Sequence, residues 1–329
     1  MKQILYTSLY VPPEWIAAHG FCPVRVIPAG GNCQPNALDR QGVCPFMRNF
    51  ASEVVAAPEA AGIIVTTICD QMRHGFDIIR GNSKASVFLM NVPTTWQSAT
   101  ARNLYVDELN RLGRFLEGLG GKRPSNRRLV EVMSSYDEAR TSLRQMSERL
   151  SPRQFAQALT RVDQTGQFDA ALEDKAAEAA NGRVRIALAG GPQRAEDLAV
   201  FDMIEQHGGY VALDATDRGL RSVCRSLDRR RMNDEPLLEL ADAYFDSIQD
   251  VSRRPNDGFY EWLAPRLHSR RVDAIVVQRY LWCDLWHAEV ERLRQRFGLP
   301  LLDLDLDGDE PFDTNRMRTR IGAFMEMLT

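Results

Sequence analysis

The sequence predicts an α/β protein of two units, each a parallel sheet covered by helices on both faces, with a helical section between them. Three observations carry this expectation. Short β-branched runs alternate with helical patterns in the first third of the chain and again after residue 183. Residues 95–180 lack such runs and repeat apolar residues at three-to-four spacing. The length of 329 residues is more than one hydrophobic core usually serves. Strands separated by helices need crossover connections, and those make parallel sheets.

Lys2–Tyr6 is the first expected strand. Pro12 and Pro13 sit where a helix starts, and Glu14–Ala18 carries it on. Val24–Ile27, Gly62–Thr66 and Ser86–Met90 complete the strands of an N-terminal α/β domain over residues 1–94. In the helical linker region, residues 95–180, Leu104, Leu109, Leu112, Phe115 and Leu116 form one apolar stripe. Ser151-Pro152 reads as a helix cap followed by a first-turn proline. A C-terminal α/β domain, residues 181–329, holds strands at Arg183–Leu188, Val211–Asp214, Asp273–Gln278 and Leu301–Leu304. Asn315–Leu328 reads as a closing amphipathic helix.

Composition narrows the partners. Forty-one basic against 44 acidic residues leave a net charge of -3, which gives no electrostatic reason to expect nucleic acid or an anionic membrane. The basic stretch Arg225–Arg231 reads as a solvated helix end rather than an anion site. The N-terminus lacks a signal-peptide pattern, and no apolar run approaches the ~18 residues a membrane helix needs. The expected location is the cytoplasm. Thiols stay reduced there, so the six cysteines are read as ligands, reactive groups or core filler, not disulfides.

A repeat links two of them. Gly62–Ile68 leads into Cys69-Asp70, and Asp273–Gln278 leads, a few residues on, into Cys283-Asp284. Each is a buried-type strand, then Cys-Asp, then a helix, and ligands in open α/β sheets bind beyond the carboxyl ends of strands. Cys44 precedes Pro45, which suits a helix's first position, and Arg48 follows one turn later with its positive charge. All three thiols therefore fall at helix starts, where free amides and a positive field favour thiolate. Buried core cysteine is the competing reading, and it is preferred for Cys22, Cys33 and Cys224. Cys224 reads as one face of a surface helix. Cys33 shares a loop with Cys44 and stays open as an alternative ligand. The chain has no C-x-x-C pair of the kind a structural zinc usually shows. Widely spaced cysteines from two domains fit an iron–sulfur cluster at an interface better. Three thiolates would leave one iron with an open position for substrate.

Other motifs are weaker. Gly190-Gly191-Pro192 after a strand reads as a tight turn before a phosphate cradle, and neither G-x-G-x-x-G nor the Walker pattern is present. Asp303–Asp309 continues a strand and lacks the spacing of a calcium loop. His287 lies one turn beyond Cys283, where it would either hydrogen-bond a sulfide or serve as a structural histidine.

Several of these segments together resemble the 2-hydroxyacyl-CoA dehydratase / benzoyl-CoA reductase subunit family, in its D-component type. The resemblance rests on Cys44-Pro45-Phe46-Met47-Arg48, on the strand leading to Cys69-Asp70, and on Trp282-Cys283-Asp284-Leu285-Trp286 with Glu289. Tyr10–Glu14 followed by Pro23–Arg25, Asp214–Arg221 and Met317–Glu326 are similar to further family segments, in the family's order along nearly the whole chain. The resemblance implies two doubly wound (Rossmann/flavodoxin-like) parallel-sheet domains with a helical insertion. It implies a [4Fe–4S] cluster on Cys44, Cys69 and Cys283, with Arg48 and His287 as guesses for neighbouring residues that support it. It further implies a homologous second subunit or homodimer, an ATP-dependent iron–sulfur activator protein, and an acyl-CoA substrate. Dehydratases of the family expel the hydroxyl group through a ketyl radical, and reductases send electrons into an aromatic ring. The chain departs from the family by being short, by Asn315 and Arg316 before Arg318, and by Leu281-Trp282 before the third cysteine. Two rival readings remain: a redox protein with a double-cubane cluster that reduces small molecules, and a non-catalytic cluster-bearing partner subunit.

Overall fold

A computed structural model of the chain describes residues 1–30, 42–172, 182–306 and 314–329. Among the described residues, eight strands and twelve α-helices run in the order β1 (Gln3–Tyr6), α1 (Pro13–Ala18), β2 (Cys22–Arg25), α2 (Pro45–Val55), β3 (Ala60–Thr66), α3 (Asp70–Asn82) and β4 (Ser86–Met90), followed by α4 (Ala99–Gly118), α5 (Asn126–Gln145) and α6 (Pro152–Thr165). The second half holds β5 (Val184–Gly190), α7 (Ala199–Gln206), β6 (Gly209–Ala215), α8 (Arg229–Asp234), α9 (Pro236–Ser247), α10 (Asp257–Ser269), β7 (Ala274–Tyr280), α11 (Asp284–Phe297), β8 (Leu301–Leu306) and α12 (Thr314–Glu326).

The strands form two four-stranded sheets, ordered β2-β1-β3-β4 and β6-β5-β7-β8, with every pairing parallel. The fold is the expected pair of doubly wound α/β units. The two orders are equivalent: in each unit the chain starts at an inner strand, steps to one edge, then crosses to the other side. The crevice of such a sheet opens at the carboxyl ends of the two inner strands. Here those are β1 and β3 in one unit and β5 and β7 in the other.

The strands read as parallel strands should. The last five residues of β3, Gly62–Thr66, are buried, as are all seven of β7. β7 changes character along its length, from Ala274-Ile275-Val276-Val277 to Gln278-Arg279-Tyr280. Its polar end is tied to neighbouring segments: Gln278 accepts from Gln193 at 2.9 Å, Arg279 pairs with Asp303 at 2.8 Å, and the Tyr280 hydroxyl donates to Asp197. β2 begins two residues earlier than expected, at Cys22, and takes Pro23 into an edge strand, where a missing N–H does no harm.

Residues 95–172 carry α4, α5 and α6. On α4 the buried stripe is Tyr105, Leu109, Leu112 and Leu116, at four-three-four spacing. Leu104 is 40% exposed and falls off it. α6 opens as expected: Ser151 and Gln154 form a reciprocal capping box with Pro152 in the first turn. α8 and α9 leave the C-terminal unit and join this helical layer, where Phe245 stacks on Tyr105 with ring centroids 5.0 Å apart. In the basic stretch Arg225–Arg231, Arg229 and Arg230 are solvated at a helix end as expected, and Arg225 and Arg231 are not. Asp228 caps the start of α8, while Arg225 and Arg231 pair with Glu239, whose side chain is fully buried. Cys224 is buried in the helical core, in a connecting segment rather than on a surface helix.

Arg25 ties the units together. Its guanidinium donates to the Thr7 carbonyl, to the Asp217 carbonyl and carboxylate, and to Asp163 of α6. Among the described residues no helix is long and apolar enough to cross a membrane.

Candidate functional site

A cavity of about 360 Å³ opens between the two sheets, and Cys44, Cys69 and Cys283 all line it. Cys69 follows β3 and Cys283 follows β7, which are equivalent strands in the two units. Each of the three cysteines occupies the N-cap position of a helix: Cys44 for α2, Cys69 for α3 and Cys283 for α11. The Cys69 sulfur accepts the Met72 N–H at 3.4 Å. Asp70 and Asp284 stand in the first turns of their helices, where carboxylates are favoured.

Side chains outside the cysteine motifs fix these positions. Gln71 Oε1 accepts the Cys44 N–H at 2.7 Å, and Gln71 Nε2 donates to the Gly42 carbonyl at 3.3 Å. The Cys283 N–H donates to the Tyr280 carbonyl at 2.9 Å. The Tyr280 ring lies 6.2 Å from that of Phe46, the second residue of α2. Arg221, fully buried, donates to the carbonyls of Gly190 and Ala215 and to the Asp250 carboxylate. Its guanidinium lies 5.6 Å from the centre of the Trp286 ring. Gly190 and Gly191 are explained by packing. A Cβ on Gly190 would lie 2.2 Å from the Gln278 carbonyl oxygen, and one on Gly191 would lie 3.0 Å from Trp286. α11 is held from behind through buried Glu289, which accepts from Asn256 at 2.8 Å and from the Tyr260 hydroxyl.

Burial dominates the electrostatics. It pushes the Cys44 thiol up to about 11 and Cys283 up to about 12, against amide hydrogen bonds that pull the other way. Burial also raises Cys69, opposed by the amides of Met72 and Gln71. The three sulfurs repel one another as anions, Cys283 against both Cys44 and Cys69. A metal bound there would reverse this balance, because a coordinated thiol is deprotonated outright. Among the described residues no group of three or more His, Cys, Asp or Glu side chains closes on a single metal ion. The three cysteines line one cavity together, and three thiols are a donor set of the kind that ligates an iron–sulfur cluster.

Arg48 and His287 do not line the cavity. Arg48 is half-buried on α2, its N–H bonded to the Cys44 carbonyl. His287 is exposed on α11, its N–H bonded to the Cys283 carbonyl. Cys33 lies outside the described residues, as does the acidic run beyond Leu306. Within that run Asp303 and Asp305 belong to β8 and pair with Arg279 and Arg320. Gln71, Tyr280, Asp250 and Arg254 line the cavity without having been singled out from sequence. The only signal for Gln71 was its place two residues after a cysteine.

A model of the family described as "2-hydroxyglutaryl-CoA dehydratase, D-component" matches residues 8–328. The chain belongs to this family. As a D-component family member it is of the 2-hydroxyacyl-CoA dehydratase type, a lyase at the level of the family, and the family implies a partner component and an activator. No curated protein matches the chain. Among solved structures, the chain is similar to a Mn-bound point mutant of a periplasmic metal binding protein from candidatus liberibacter asiaticus, at 11% identity over all of both chains with a TM-score of 0.26. A metal-free point mutant of that protein matches at 10% identity over all of both chains, again with a TM-score of 0.26. Likeness at that level carries no argument about the D-component chain.

Proposed function

We propose that this chain is a subunit of a 2-hydroxyacyl-CoA dehydratase and that Cys44, Cys69 and Cys283 hold a [4Fe–4S] cluster in the cavity between its two sheets. The observation that carries the reading is the convergence on one cavity of three cysteines that are far apart in sequence, each at a helix N-cap. When bound, such a cluster supplies a low-potential redox centre with one iron free of protein ligands. The reaction is elimination of water from a 2-hydroxyacyl-CoA by way of a ketyl radical. The electron comes from an ATP-dependent activator and is given back once water has left, so the reaction has no net redox change, and a homologous subunit completes the enzyme.

The residues of the chain have defined parts in this. The three thiolates bind the cluster, and the amide of Met72 stabilises the charge on Cys69. Gln71 orients Cys44 through its backbone. Trp286, Phe46 and Met47 make the wall apolar and keep water from the sulfurs. Thr7, Ser252, Arg254 and Asp250 give the same cavity a polar side suited to a thioester carbonyl and a hydroxyl.

Iron and sulfide counting on anaerobically purified chain tests the proposal. About four irons per chain are expected. A larger count favours the double-cubane redox protein, and zinc or no metal defeats the cluster reading. Cys69→Ala should lose most of the iron and Cys224→Ala should keep it. The reverse pattern overturns the ligand assignment.

A further inference from the structure

The residue that stands out beyond the cavity wall is Arg194, in the loop after β5. It is 1% exposed. Its Nε and Nη2 form a fork onto the Asp197 carboxylate at 3.4 and 3.0 Å, and Nη2 also reaches Glu196 at 2.9 Å. Nη1 is buried and has no partner among the described residues. Its backbone N–H donates both to Asp197 and, at 3.2 Å, to the Tyr280 hydroxyl. The guanidinium carbon lies 5.4 Å from the centre of the Tyr280 ring. The Tyr280 hydroxyl in turn donates to Asp197. Arg194 and Asp197 thus grip one tyrosine by its hydroxyl and its ring face.

That tyrosine touches two of the three cysteine motifs. Its carbonyl takes the Cys283 N–H, and its ring packs on Phe46, two residues after Cys44. We infer that Arg194 is a positioning residue acting through Tyr280: it fixes the separation of Cys44 and Cys283, and its buried cation raises the reduction potential of the cluster they would hold. The inference rests on the cluster reading above. The electrostatic part follows from Coulomb's law. Arg194 offsets the carboxylates of Asp197 and Glu196; without it their negative charge would disfavour the more negative, reduced state, and net charge near the sulfurs is among the influences that set cluster potentials. Arg194 stands close to the site in the fold, because the tyrosine whose ring it covers also holds the Cys283 N–H. A lysine would keep the cation but not the planar fork.

The test is a redox titration followed by electron paramagnetic resonance on the full chain carrying its cluster, comparing Arg194→Gln, Arg194→Lys and Tyr280→Phe with the exposed control Arg127→Gln. At unchanged iron content, Arg194→Gln should shift the midpoint to lower potential, Arg194→Lys should recover most of the shift, and Arg127→Gln should not move it. An Arg194→Gln midpoint equal to the unsubstituted protein overturns the inference. Should Arg194→Gln lose its iron, Tyr280→Phe decides. Altered resonance lines with faster iron loss to a chelator support the inference, and an unchanged spectrum and rate defeat it. An unsubstituted chain that takes up no iron defeats the cluster reading instead. The positional half is then read on metal-free Cys69→Ala protein by bridging Cys44 to Cys283 with a short bifunctional alkylating reagent. Arg194→Gln should lower the bridged fraction several-fold, and equal bridging, or none in either protein, overturns it.

Discussion

Gln71 and Cys44 come from successive crossovers, on either side of β3, yet the side-chain oxygen of Gln71 accepts the N–H of Cys44 at 2.7 Å. The same amide donates to Gly42, so one side chain on the helix capped by Cys69 closes the loop that delivers Cys44. Removing it leaves a buried N–H without a partner, which costs roughly 1–3 kcal/mol. Gln71→Ala should therefore release iron to a chelator several-fold faster than the unsubstituted chain while leaving the helical content of the circular dichroism spectrum unchanged. Equal release rates would show that the loop holds Cys44 without Gln71.

Glu14 and Arg140 form the most deeply buried ion pair of the helical layer, with side-chain exposures of 0% and 3%, and Tyr244 bonds to both. Removing one partner strands a charge out of water, for which about 3–5 kcal/mol is typical. Glu14→Ala should lower the urea midpoint by that amount of stability, and Glu14→Ala/Arg140→Met should recover a large part of it. A single mutant as stable as the parent would show that the pair is dispensable.

The helix-cap positions of the three cysteines were legible in the sequence because a helix cap is local. Strand, Cys-Asp and helix follow one another within about twenty residues, so the repeat at Cys69 and Cys283 needed no tertiary information. Gln71, Tyr280 and Arg221 were not legible as supports. Their partners lie 27, 83 and 29 positions away, and nothing in an amphipathic pattern names a distant carbonyl. The same limit hid the transfer of α8 and α9 to the helical layer: their apolar faces were visible, but not what covers them. Arg225 and Arg231 read as solvated because their buried acceptor, Glu239, lies on the next helix.

Asp214 near the end of β6 predicts a pH dependence. Burial pushes its carboxyl from the ordinary 3.8 up to about 6, against the hydrogen bonds from Thr216. Between those values the folded protein binds more protons than the unfolded chain, so stability falls as pH rises through that window. The loss is on the order of 3 kcal/mol across it. Asp214→Asn keeps the acceptor that Thr216 uses and removes the titration. Urea unfolding at pH 4, 5, 6 and 7 should show a downward slope that is absent in Asp214→Asn, on top of whatever slope the two share. Identical slopes would place the carboxyl's pKa at its ordinary value.

Gly190 links the stability of the C-terminal sheet to the position of Cys283. It is the last residue of β5, paired with Gln278 on β7, and a methyl group there would sit 2.2 Å from the Gln278 carbonyl oxygen. The obstacle is backbone in the middle of a sheet, so it cannot swing aside as a side chain would. Relief requires β5 and β7 to part just before Tyr280 and Cys283. Gly191→Ala meets the edge of the Trp286 ring at 3.0 Å instead, a contact that a small ring movement relieves at about 1–3 kcal/mol. Gly190→Ala should thus lower thermal stability more than Gly191→Ala and, in the fraction that folds, reduce iron retention. Iron content at the parent's level in Gly190→Ala would separate the packing of this strand pair from the placement of Cys283.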